Sequence, residues 1–211
     1  MEQSECSAFL AAARGAGDLA RRPEVTARWT EESACAGMSV GGLACHLVSQ
    51  VDNAVRLLTA GPSDQSPIPL ADHYSGVGWA DADDESNVGI REGSDAQAEA
   101  GPEALARLLD RRLAELPDVL ASAAGDDAVL IPWQGWSLTA RDFLVTRMME
   151  IVVHSDDLAA SVGLDTPTFA EEVLAPVLGL LTDLAVRRHG ATSVIRALTR
   201  PQRAPATIAA F

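Results

Sequence analysis

Glu150 and His154 stand four residues apart in "RMMEIVVHSDDLAASVG", residues 147–163, inside an otherwise apolar helical pattern. At that spacing a carboxylate and an imidazole share one face of a helix. Such a pair is either a solvated contact worth a few tenths of about 1 kcal/mol, or two ligands of a metal whose third ligand comes from elsewhere. His46, in "SVGGLACHL", is the candidate third ligand, although a lone histidine fits a packed, satisfied side chain equally well. Two imidazoles and one carboxylate leave coordination positions open, which suits a catalytic divalent cation. Zinc matches that donor set, and iron or nickel matches it too.

The elements that must position these residues are legible from periodicity. Leu144, Ile151, Leu158 and Val162 make the apolar stripe of a late helix, and Arg147, Glu150, His154 and Asp157 run along its edge. Leu43, Leu47, Val51 and Leu58 make the stripe of an early helix. His46 lies at its edge with Gly42, Gln50 and Asn53. Small Gly42 leaves space, and Gln50 and Asn53 place polar groups one and two turns beyond His46. Two helices meeting along these edges would bring His46 to Glu150 and His154.

Supporting roles carry alternatives. Asp157 can orient the His154 imidazole or be an ordinary solvated acid. Arg147 can recognise a carboxylate on a substrate or thiol, or pair with Glu150. His73, in "ADHY", either completes or gates the site or is a surface loop residue. His189 sits at a helix C-terminus, where a charged imidazole is favourable in any case. Trp79, Trp133 and Trp136 fall in connectors and either line a pocket mouth or pack against the helices. Cys45 reads as core, and no cysteine of the chain is needed as a nucleophile.

Along the chain, a helix over residues 3–21 ends near "RRP", and Pro23 permits a short piece through Trp29. Ser39 offers an N-cap for the early helix, and Gly61 with Pro62 a stop. Residues 62–84 read as a long loop. A helix over 103–123 follows Pro102, and "GDDAVLIPWQGW" is an irregular or extended connector. Ser137 is the expected cap of the late helix, which Gly163 ends. A further helix is interrupted or kinked at Pro176 and closed by Gly190, with one short helix before a Pro- and Ala-rich tail. The expectation is an all-α four-helix bundle over residues 1–190, with a long loop between its second and third helices. Residues 191–211 form a tail, with a short extra helix, packed on the bundle or extending from it.

Composition narrows the function classes. The 211 residues carry a formal charge of -14, which repels nucleic acid and anionic lipid. All basic residues are arginine, and with so much alanine this points to a GC-rich bacterial source. Three cysteines without CxxC spacing fit a reducing cytoplasm. The start "MEQSECSAFL" lacks the basic and apolar regions of a signal peptide, and no apolar stretch is long enough to cross a bilayer. A cytoplasmic protein acting on small molecules is expected, with a homodimer as an allowed assembly.

"SVGGLACHL" followed by "GWSLTARDFLVTRMMEIVVHSDDLAASVG" resembles the mycothiol-dependent maleylpyruvate isomerase N-terminal domain, of the DinB-like superfamily. The likeness runs from the first helix to Gly190. It implies a four-helix bundle with His46, Glu150 and His154 as ligands of a divalent metal, usually zinc. It also implies mycothiol as the thiol that attacks a small electrophile, in an S-transferase or isomerase reaction. A non-catalytic DinB-like protein that binds metal or a small ligand is the alternative. Met38 stands where the family often has tryptophan, and a short tail follows Gly190 where full-length isomerases carry a second domain.

Overall fold

The structure, a computed structural model, describes residues 1–74 and 85–211. Trp79 and the end of the expected loop lie outside the described residues. Nine helical segments appear among the described residues: α1 (Gln3–Ala20), α2 (Pro23–Ala27), α3 (Val40–Thr59), α4 (Leu70–His73), α5 (Glu85–Ala98), α6 (Pro102–Ser122), α7 (Ala140–Val162), α8 (Glu171–His189) and α9 (Ala191–Thr199). Two short strands, β1 (Ala128–Ile131) and β2 (Trp136–Thr139), intervene between α6 and α7. The protein is therefore mostly helical, as expected, with one small antiparallel sheet. No helix among the described residues is long and apolar enough to cross a membrane.

Local chemistry explains the helix that carries His46. The Ser39 hydroxyl accepts the Gly42 N–H at 2.9 Å, so the expected cap of α3 is in place. Leu43, Leu47 and Val51 are fully buried along its inner face, and Leu58 is half-buried. The space at Gly42 does not open onto a site. A Cβ there would collide with the Asp95 carboxylate of α5, which accepts bonds from the Ser39 N–H and hydroxyl. Helix α5 thus docks on α3 through a glycine gap.

Two expectations are corrected, and the extended reading of the connector is sharpened. The stretch between α3 and α6 is not simply a loop, because α4 and α5 lie within it. In α5, "ESNVGIREGSDAQA" has too few apolar residues to announce a packed helix. The connector before α7 is a hairpin, with Val129 opposite Leu138 and Ile131 opposite Trp136. Val129 and Ile131 point inward while Leu130 is exposed, the alternation a half-buried strand requires. That pairing engages Ser137, so the cap of α7 is Thr139, whose Oγ1 accepts the Asp142 N–H at 3.0 Å. Gly163 ends α7 at φ 72°, a left-handed conformation suited to glycine. Pro176 lies inside α8, which runs on to His189.

The core is built where the stripes meet. Helix α3 packs on α5, α6 and α7, and α1 packs on α3, α6, α7 and α8. Phe9, Leu47, Leu109, Leu116, Phe143, Ile151 and Leu158 are among the side chains removed from water there. Helix α9 lies against α8. The α3–α7 contact sets the geometry of the site.

Candidate metal centre

Because α3 and α7 pack along their polar edges, His46 and the Glu150–His154 pair meet across 104 residues of sequence. His46 Nε2 lies 3.4 Å from Glu150 Oε2, and His154 Nε2 lies 3.2 Å from the same oxygen. The two imidazoles stand edge to face, with ring centroids 4.7 Å apart. One ligand atom from each of the three residues falls within 4.8 Å of the other two. Donors bound tetrahedrally to zinc at about 2.0–2.1 Å stand about 3.3 Å apart, so the two measured spacings fit one cation. The bland alternative, a solvated helix pair, fits poorly with Glu150 and His154 side chains exposed by only 12% and 21%.

The electrostatics couple the three side chains tightly. Burial alone would raise the Glu150 carboxyl, but bonds from His154 and His46, with the charges of His154 and Arg147, hold it well below the usual range. Burial likewise works against a charged His154. The bonds to Asp157, Cys35 and Glu150 outweigh it and raise that imidazole well above its ordinary value. His46 is lowered, first by burial and then by the nearby charges of His154 and Arg147, against the pull of Glu150.

Surrounding side chains fix this arrangement. Asp157 Oδ2 accepts from His154 Nδ1 at 3.0 Å, which turns Nε2 toward Glu150. Gln50 is buried; its Nε2 donates to the His46 carbonyl at 2.8 Å, and its Oε1 accepts from Arg147 Nη1 at 2.6 Å. Arg147, 7% exposed, also donates through Nε to Thr146 Oγ1 at 3.1 Å. Asn53 is half-buried on α3, seven residues and about 10 Å of helix rise beyond His46. Replacing Gln50 by leucine should cost about 2 kcal/mol in urea unfolding, because a buried guanidinium loses its acceptor. Unchanged stability would mean that Arg147 finds another partner at no cost.

Two residues enter the neighbourhood against expectation or without any. His73 is not a surface loop residue: it is 1% exposed at the end of α4, and its Nδ1 accepts the Trp136 Nε1–H at 2.9 Å. Burial and the Arg147 charge push its imidazole down to about 4. Trp136 thereby packs inward, whereas Trp133 is exposed. Cys35, on the segment before α3, brings Sγ to 3.3 Å from Asp157 Oδ2 and 4.0 Å from His154 Nδ1. No sequence signal marked it, since it sits in irregular chain 119 residues from His154. Cys45 is buried core, its thiol pushed up to about 12 by burial and by Asp95. His189 ends α8 and bonds to the Ala209 carbonyl.

Among the described residues two groups have the donor types and spacing to hold a metal: His46, Glu150 and His154, and Cys35, His154 and Asp157. The cavity lined by Leu57, Pro62, Asp118 and Val129 lies toward the other end of α3 and contains none of them. A family model described as Mycothiol maleylpyruvate isomerase N-terminal domain matches residues 9–159 of the chain, a span that includes His46, Glu150 and His154. No curated protein and no solved structure matches it.

Proposed function

The chain belongs to that family, and from this premise we propose that it is a metal-dependent thiol S-transferase or isomerase. Its co-substrate is a low-molecular-weight thiol of the mycothiol kind, and its substrate a small electrophile. The observation that carries the proposal is the convergence of His46 Nε2, Glu150 Oε2 and His154 Nε2 from two distant helices. Those three would hold the cation, zinc first and iron or nickel as variants, with coordination positions left for a sulfur. A divalent cation there supplies the positive charge that keeps a coordinated thiol deprotonated near neutral pH.

The chain's own groups do the positioning. Asp157 holds the Nδ1 proton of His154 and so keeps the Nε2 lone pair inward. Gln50 ties the backbone at His46 to the Arg147 side chain, so both helices keep register at the site. Arg147 sets a fixed positive charge beside it, toward which a carboxylate on the thiol or electrophile is drawn. Addition of the thiol sulfur to an activated double bond or a leaving-group carbon gives conjugation. Addition, bond rotation and elimination give isomerisation.

The same proposal includes a DinB-like four-helix bundle made of α1, α3, α6 and α7. Residues 1–190 form its domain and 191–211 its tail. It also includes a cytoplasmic setting, a small-molecule substrate, no nucleic-acid or membrane partner, and homodimerisation as the assembly to check. The test is thiol consumption: zinc-loaded protein with mycothiol and an activated alkene. Loss of free thiol with wild type, and not with His154→Ala, supports the reading. Bound zinc with neither thiol consumption nor thiol-dependent isomerisation of a cis alkene would move the protein to the non-catalytic metal- or ligand-binding alternative.

A further inference from the structure

We propose that Cys35, Asp157 and the Nδ1 side of His154 form a second cation position, which takes a thiophilic divalent metal and shares the His154 imidazole with the first. The inference rests on His46, Glu150 and His154 being metal ligands, and adds to them a thiol-bearing neighbour.

The donor spacing carries it. With sulfur at about 2.3 Å and nitrogen or oxygen at about 2.0–2.1 Å from zinc, tetrahedral donors stand about 3.3–3.5 Å apart. Cys35 Sγ is 3.3 Å from Asp157 Oδ2, Asp157 Oδ2 is 3.0 Å from His154 Nδ1, and Cys35 Sγ is 4.0 Å from that nitrogen. Shifts of about half an ångström close this triangle on one cation. The other two cysteines are elsewhere: Cys6 donates to the Leu120 carbonyl, and Cys45 is buried core.

The segment that presents Cys35 is built to hold it there. Ser33 Oγ accepts the Cys35 N–H at 3.2 Å and bonds to the Met38 carbonyl at 2.7 Å. The Met38 N–H returns to the Cys35 carbonyl at 3.1 Å. The next anchor is on α7 itself, where Ser161 Oγ accepts the Ala34 N–H at 2.8 Å and donates to the Asp157 carbonyl at 2.6 Å. The turn is therefore fastened to the same helical stretch that carries Asp157. Cys35 stays half-buried, so its sulfur is held in place without being sealed from solvent.

Charge balance permits two cations. Filling the second position takes the proton from the Cys35 sulfur and the one on His154 Nδ1, and releases both to solvent. The imidazole then bridges the two positions through its two nitrogens. Glu150, Asp157, the Cys35 thiolate and the bridging imidazolate bring four negative charges to two divalent cations. A partly buried site is then neutral, apart from the Arg147 charge beside it.

Cobalt(II) alone is the probe. Wild type should bind two equivalents and show thiolate-to-cobalt charge-transfer absorption. Cys35→Ser should bind one equivalent without that band, and His46→Ala should keep the band. As a check in wild type, iodoacetamide alkylation of Cys35 should slow when a second equivalent of cadmium is added, read by peptide mass. Absence of the band in wild type, its persistence in Cys35→Ser, or unprotected alkylation overturns the second position. So does a single equivalent that carries the band, because one cation then occupies His154. One equivalent without the band, lost in His46→Ala, overturns this inference and leaves the first metal site standing. No bound cobalt overturns both.

Discussion

In a Cys35→Ser background, which leaves only the first position, zinc offered at one equivalent should bind the parent tightly and bind His46→Ala, Glu150→Gln and His154→Ala far more weakly. Loss of an outer partner of a metal ligand typically costs ~10–100-fold in affinity, and loss of a ligand itself should exceed that in all three variants. The reason is geometric. Glu150 Oε2 stands 3.4 Å from one imidazole nitrogen and 3.2 Å from the other, so each substitution removes a third of one donor set. Competition against a chromophoric chelator measures the affinity. His46→Ala is the decisive variant, because only the packing of α3 on α7 connects residue 46 to the ExxxH helix. If it keeps the parent's affinity, the three side chains are a hydrogen-bonded helix contact. The thiol chemistry proposed for them would then have no foundation.

How far the sequence carried this conclusion depends on the kind of contact. His46, Glu150 and His154 could be read because each sits at a fixed register beside an apolar stripe, and stripes on long helices predict which edges meet. Ile151 and Leu158 are buried as their spacing requires, and the neighbouring edge follows. Gln50 reaches both His46 and Arg147 for the same reason: it is one turn along the edge. Cys35 and His73 could not be read this way. One sits in an irregular turn and the other in a four-residue helix inside a Pro- and Ser-rich stretch, where no periodicity reports direction. Their positions follow from tertiary anchors, the Ser161 hydroxyl for the first and the Trp136 indole for the second. Helix α5 was hidden for a different reason. Its contact with α3 includes Asp95 bonding to the Ser39 cap across Gly42, a polar contact that leaves no apolar repeat.

The buried His73 should also make the protein lose stability in mild acid. Its imidazole, pushed down to about 4 by burial and by the charge of Arg147, has an unfolded value of 6.5. Between those two values the unfolded chain holds the proton and the folded chain does not. Unfolding stability therefore rises with pH across this window and is lost as pH falls from 6.5 toward 4. The separation, 6.5 minus about 4, corresponds to about 3 kcal/mol at 1.36 kcal/mol per unit. At 1% exposure the side chain has little solvent to soften that cost. Other groups titrate too, so the measurement is a difference. Urea unfolding of metal-free wild type and His73→Gln, from near neutral pH down to pH 4, isolates the one residue. Glutamine keeps an acceptor for the Trp136 N–H but has no proton to gain. Wild type should lose about 3 kcal/mol more than the variant over that range, with the two profiles running parallel below it. Profiles parallel throughout would mean that His73 is protonated equally in both states, and that α4 opens to water.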